Sequence, residues 1–339
     1  MCLAFGGNST ELLDDFLKAM TSKAARFILK KYLAHSRQSQ TAGITLLELL
    51  MAISITSIIL YSMLSLVVSL LNTEKKETAK TQVQQEMSAA MDYIASELKE
   101  AVYIYNGNCI SGADPSCVGL ANAGVQIPAE VTPTLAFWKL KAIEMPGDGE
   151  GPFDPSSCTT DDCRNLLTTL NTYTLVVYGV EENNADIWEG PAQIRRFELP
   201  QYPSIEDAVD GTPSFDEDPR TTAFVGWNPS SINTDNTFQV LVDFVDRNRK
   251  LENQQPCPGN YVASPSSGAN AQEPGNWNFY ACVQPSGNGV MQDAIVFLRG
   301  NAAEKAGQDT NSVNPVYLPS IQRRVQARSV FNYDPSSRN

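Results

Sequence analysis

Two kinds of side chain stand at spacings that could do chemistry, the cysteines and the clustered carboxylates. Seven cysteines occur in 339 residues, and six of them, Cys109, Cys117, Cys158, Cys163, Cys257 and Cys282, lie beyond residue 106. Six thiols allow many pairings, but their grouping suggests local bridges of 109 with 117, 158 with 163 and 257 with 282, a chemistry that persists outside the cytoplasm. Zinc is the rival reading for Cys158 and Cys163, weakened by the absence of C-x-x-C spacing and of histidine nearby. The acidic groups Asp161-Asp162, Asp216-Glu217-Asp218 and the run Asp243, Asp246, Asn248, Glu252 offer oxygen ligands of the kind calcium takes. None follows the EF-hand order, and solvated loop charge explains them better. The single histidine, His35, precedes a long apolar run, so the sequence beyond that run cannot build a Ser/His/Asp triad, a Cys/His pair or a multi-histidine metal site. No catalytic residue is singled out and the chain is not expected to be an enzyme. Spacing in sequence does not report the separation of carboxylates in space, so two-carboxylate glycoside chemistry stays open.

The elements that must position these groups begin with a membrane segment. Residues 44–71 carry one charge, Glu48, and the 23 residues after it are uncharged, enough to cross a bilayer as a helix. Residues 1–43 hold six basic and three acidic side chains, which orients that flank to the cytoplasm and the rest outward. Residues 10–35 have the spacing of an amphipathic helix that could lie on the inner membrane surface. The polar break Thr41-Ala42-Gly43 precedes the apolar run instead of following it, unlike an ordinary secretory signal. A carboxylate that far into a membrane helix costs roughly 2.5–3.5 kcal/mol unless something offsets it. Overall, 25 Lys+Arg against 38 Asp+Glu give a net charge of −13, which disfavours nucleic acid as a partner.

The string Gly43-Ile44-Thr45-Leu46-Leu47-Glu48-Leu49-Leu50 resembles the processing site of type IV prepilins. The resemblance implies that a prepilin peptidase cuts between Gly43 and Ile44, that the new amino terminus is methylated, and that Glu48, with Thr45 beside it, serves assembly by neutralising a neighbouring subunit's amine. Two features depart from the usual pattern: Ile44 stands where Phe is common, and the leader is long, although a start at Met20 would leave 24 residues. Cleavage would remove Cys2, leave an even six cysteines and shift the net charge to −16, because the leader carries a net +3. The implied partners are other pilins or pseudopilins, the inner-membrane assembly platform and an exported polysaccharide. The implied location is the inner membrane, single-pass with the carboxy-terminal part outside, followed by a periplasmic or cell-surface filament. The segment AAMDYIASELKEAVYIYNG, residues 89–107, is similar to large minor pseudopilins of the PilW-like group, especially those of polysaccharide secretion in cyanobacterial hormogonia. The strand-like IQRRVQARSVFN near the end resembles that group's closing strand.

Apolar residues recur at Met87, Met91, Ile94, Leu98, Val102 and Tyr105, with no Pro or Gly between residues 44 and 106. This predicts one helix over 44–106 ended by Gly107, with Asp92, Glu97, Lys99 and Glu100 facing away from the packed stripe. Beyond it the period alternates, predicting strands over 134–140, 172–180, 193–199, 237–246, 294–299 and 320–332. In the fourth, Phe238, Val240, Val242 and Phe244 fall on one face. The expected fold is α+β: leader 1–43, membrane and spine helix 44–106, and a β-rich outer domain 107–339 in which the helix packs on an antiparallel sheet with long, disulfide-pinned loops over 200–235 and 253–293. Arg323, Arg324 and Arg328 read best as a solvent face. Were the domain a carbohydrate-binding module, Trp138, Trp188, Trp227 and Trp277 would be its stacking candidates, although core anchoring suits them better.

Overall fold

Thr45 opens the first helix, α1 (Leu46–Lys99), a run of 54 residues in which no residue breaks helical geometry. The structure is a computed structural model and describes residues 45–146, 153–182, 187–233, 238–247, 255–267, 272–275, 278–285, 291–308 and 314–328. The chain divides into two units, Met1–Leu70 and Leu71–Asn339.

In the first unit, described from residue 45, every residue is exposed. Its side chains are nevertheless apolar, with Leu46 82% and Leu64 64% exposed. The hydroxyls within it fold back on the helix: Ser54, Thr56 and Ser57 donate to the carbonyls of Leu50, Ala52 and Ile53 at 2.7–2.8 Å. This satisfies polar groups without water, as a lipid-facing helix requires. The helix is long and apolar enough to cross a membrane.

In the second unit the rest of α1 buries Ala79, Val83, Met87, Ala90, Met91, Ile94, Ala95 and Leu98 at helical spacing. Each Met, Ile or Leu so enclosed contributes roughly 1.5–3 kcal/mol. After α1 come β1 (Ala101–Tyr105), the short α2 (Gly107–Ile110), β2 (Val131–Ala142), α3 (Asp161–Thr169), β3 (Asn171–Glu182), β4 (Ala192–Pro200), α4 (Ile205–Asp210) and β5 (Gln239–Val242). Strands β6 (Val262–Ser264), β7 (Phe279–Val283), β8 (Asp293–Arg299) and β9 (Ser320–Gln326) follow. They form two antiparallel meanders, β1-β2-β3-β4-β5 and β6-β7-β8-β9. One core contains the α1 face together with Phe137, Val176 and Ile194 of the first sheet and Phe279, Val296 and Leu298 of the second. The layout is α+β.

The helix is shorter than its sequence period predicts. It stops at Lys99, and residues 101–105 pair with β2 through Ile104 opposite Phe137 and Tyr105 opposite Ala136. AVYIY is β-branched and aromatic, and over five residues a sheet edge satisfies the same apolar spacing as a helix turn. Gly107 therefore ends no helix; it begins α2, where a Cβ would overlap the backbone of Ala263. One expected sheet is two, because β6 and β7 lie inside the stretch 253–293 read as loop. The strand expected over 237–246 narrows to β5, and a register shift in its pairing with β4 changes its facing. Phe238 stacks on Phe197 at 5.1 Å in a second core, whereas Val242 and Phe244 join the α1 core. Phe244 takes a positive φ of 58°, which ends strand geometry there. Residues 329–332 of the last expected strand lie outside the described residues.

Candidate functional site

The start of α1 holds the expected assembly residues. Gly43 and Ile44, the expected processing pair, lie outside the described residues, as does the rest of the leader. The Thr45 hydroxyl accepts from the Glu48 N–H at 3.3 Å, and its carbonyl accepts from the N–H groups of Glu48 and Leu49 at 3.0 and 3.2 Å. Thr-x-x-Glu is the order of a capping box, and a carboxylate in the first turn complements the helix dipole. The Glu48 side chain is exposed and forms no ion pair among the described residues. Leu46, Leu47, Leu49, Leu50 and Met51 around it each leave more than half their surface open, from 52 to 82%. The result is one carboxylate at the head of an apolar surface that water does not favour.

Further along the same helix Glu97 behaves differently. Its periodicity places it on the solvent side, yet it is only 5% exposed. Its Oε1 accepts from Lys139 Nζ on β2 at 2.6 Å and from Arg196 Nη2 on β4 at 2.7 Å. Its Oε2 accepts from Arg196 Nε at 2.9 Å and from the Tyr178 hydroxyl on β3. Glu198 extends the cluster by pairing with Arg196 and Lys141. Burial alone would raise the Glu97 carboxyl, but the hydrogen bonds from Arg196, Lys139 and Tyr178 outweigh it and hold its pKa at about 2. Burial and the facing Glu97 charge push the Tyr178 hydroxyl far above its ordinary value. One carboxylate thus ties the helix to three strands. The signal for it in the sequence was faint: Lys139 stands directly after the apolar run 135–138 of β2 and Arg196 between Ile194 and Phe197 of β4, and a cation buried there requires a partner.

The structure bonds Cys109 to Cys117, Cys158 to Cys163 and Cys257 to Cys282. They join more than loops, because Cys109 lies in α2, Cys163 in α3 and Cys282 in β7. The acidic clusters are engaged locally. Asp216 accepts from Ser230 N–H at 2.8 Å, Glu217 from Asn228 N–H at 2.8 Å, and Asp218 pairs with Arg220. Asp161 pairs with Arg164 at 3.0 Å in the first turn of α3, where Asp162 also stands. Asp243 accepts from Gly190 N–H at 3.0 Å, and buried Asp246 pairs with Arg299. Among the described residues no three His, Cys, Asp or Glu side chains converge as metal ligands do; Asn248 and Glu252 lie outside them.

Arg323 pairs with Asp92 at 3.0 Å and Arg324 with Asp293, while Arg328 is exposed. Trp138 and Trp227 pack edge to face at 5.0 Å and are at most 2% exposed, which removes them as sugar platforms. Trp188 is 40% exposed, and Trp277 lies outside the described residues. Comparison of the sequence with protein-family models and with curated proteins, and of the structure with solved structures, finds no match.

Proposed function

We propose that this chain is a minor pilin or pseudopilin, cut between Gly43 and Ile44, methylated at Ile44 and assembled through its apolar helix into a type IV pilus-like filament. The observation that carries the reading is Glu48: an ionisable group without a salt-bridge partner among the described residues, set in the first turn of an exposed apolar helix. Transfer of that helix from bilayer to filament would bury Glu48, and the amine freed at a neighbour's Ile44 is the partner that would offset the cost. The outer domain then supplies the contacts that distinguish this subunit from others. The type IV pilin-like fold is part of the proposal, supported by a long amino-terminal helix whose later face packs under antiparallel sheets. Service to polysaccharide secretion and gliding or twitching motility rests on the likeness of residues 89–107 to PilW-like pseudopilins.

Mass spectrometry of sheared surface material tests processing directly. The expected peptide begins at Ile44, ends at Lys75 and carries one amino-terminal methyl group. Peptides joining residues 38–43 to Ile44, found only in membranes, would mean a retained anchor and would end this reading. Glu48→Ala is expected to insert into the membrane normally and to enter filaments about tenfold less. Loss of surface polysaccharide with intact pili on gene deletion is the outcome expected for the secretion assignment; the reverse would count against it.

A further inference from the structure

The outer face of the second sheet carries a cleft that the filament reading does not use. Two cross-strand rows form its floor. In the first, Tyr280 of β7 stands opposite Phe297 of β8, which stands opposite Gln322 of β9. In the second, Arg299 stands opposite Ser320 and donates its backbone N–H to the Asn278 carbonyl at 2.9 Å. With Leu318 as one wall, these residues enclose a cavity of about 480 Å³, within the roughly 300–1,000 Å³ usual for small-ligand clefts.

Three features state what the cleft would take. Tyr280 and Phe297 stack at 4.5 Å and 7° and both line the cavity, and Phe297 is half-buried, so part of a rigid aromatic pair is open to the cleft. The rim supplies Gln322 and Ser320, both exposed, whose amide and hydroxyl groups each donate and accept. Arg299, 9% exposed, lines the same cavity. The Arg299 charge is matched by buried Asp246, so the cleft is close to neutral and gives an anion no advantage.

We propose that this cleft binds a neutral glycan, with one pyranose ring laid against the exposed part of Phe297 and with Gln322 and Ser320 holding its hydroxyls. A sugar ring has an apolar C–H face and a rim of groups that donate and accept, which is the pattern the floor and rim present. An anionic polymer finds no unpaired cation among the described lining residues, and a peptide strand would seek a sheet edge instead of a sheet face.

The proposal is independent of filament assembly. The full chain, held in a detergent without a sugar headgroup, is titrated calorimetrically with hexamers of glucose in α-1,4 and β-1,4 linkage, of β-1,4-mannose and of β-1,4-xylose, and with a galacturonate hexamer. Saturable binding of at least one neutral hexamer is expected. Phe297→Leu, which keeps apolar volume but removes the ring, is expected to weaken it about tenfold. Gln322→Ala, at an exposed position, is expected to weaken it about threefold with an unchanged melting temperature. No neutral hexamer bound, galacturonate bound alone, or affinity unchanged in both variants would each overturn the site. Glu48→Ala is expected to bind glycan normally, so failure of the cleft and failure of the filament reading are separate results.

Discussion

Glu48 and Glu97 are carboxylates of one helix in opposite circumstances. Around Glu48 the helix is apolar and uncovered, and no cation among the described residues pairs with it; around Glu97 the helix is covered by three strands, and two cations and a phenol converge on one carboxylate. A buried charge is tolerable only when paired and hydrogen-bonded. Glu97 meets that condition within the subunit. Glu48 has no such partner among the described residues, which is the ground for the assembly role proposed above.

That contrast is broken most directly at Glu97. Glu97→Ala removes the buried carboxylate between Lys139 and Arg196, leaving them only Glu100 at 3.9 Å and Glu198 at the edge of the cluster, a loss of about 3 kcal/mol, expected as a fall of about 10 °C in melting temperature. A melting temperature within a degree or two of wild type would show that the cluster does not secure the helix. The same carboxylate sets an acid limit. Its folded pKa of about 2 lies below the ordinary 4.5, so its contribution is complete above pH 4.5 and is lost as pH falls toward 2. The expected loss is on the order of 2–3 kcal/mol, read from denaturant midpoints across that range and absent from Glu97→Gln.

Reduction of Cys257–Cys282, which closes a loop of 25 residues, is expected to cost about 3 kcal/mol and to leave the Glu97 acid transition in place. Gly107→Ala tests a different joint. The new Cβ would meet the backbone of Ala263 and lie 2.8 Å from Ser264 Cα, atoms that cannot rotate aside, for a cost of about 2 kcal/mol in chemical denaturation. The smallest effect is expected at Glu48: Glu48→Gln should change the stability of the folded domain by no more than about 0.5 kcal/mol while lowering filament incorporation. A large loss of stability there would place its partner inside the subunit and dissolve the comparison.

Much of this organisation was legible in residue order. Apolar run length is a local property, and so is the alternation that marks β2, β3, β4 and β8. The cysteines that bond lie within 8, 5 and 25 residues of each other, so their grouping in sequence already joins the right pairs. The spacing from Met87 to Leu98 likewise names the helix face that is buried. At the amino terminus, Thr45 and Glu48 stand three residues apart, and the cap they form needs nothing beyond the helix itself.

What tertiary structure alone decided depends on residues far apart in the chain. Residues 101–105 continue a helical spacing, yet β2 some thirty residues on turns them into a strand, because pairing and burial outweigh so short a local preference. Strands β6 and β7 were hidden by polar neighbours and by their brevity, and appear only because β8 pairs with β7 and β7 in turn with β6. Glu97 reads as a surface charge until Lys139, Tyr178 and Arg196, 42 to 99 residues away, close around it. The cleft on the second sheet has no motif at all, since Tyr280, Phe297 and Gln322 become neighbours only through strand register. Sequence by itself determined where apolar surface is and which thiols are close; the fold decided which charges and rings meet, because those meetings are set by pairing across the sheets and not by spacing along the chain.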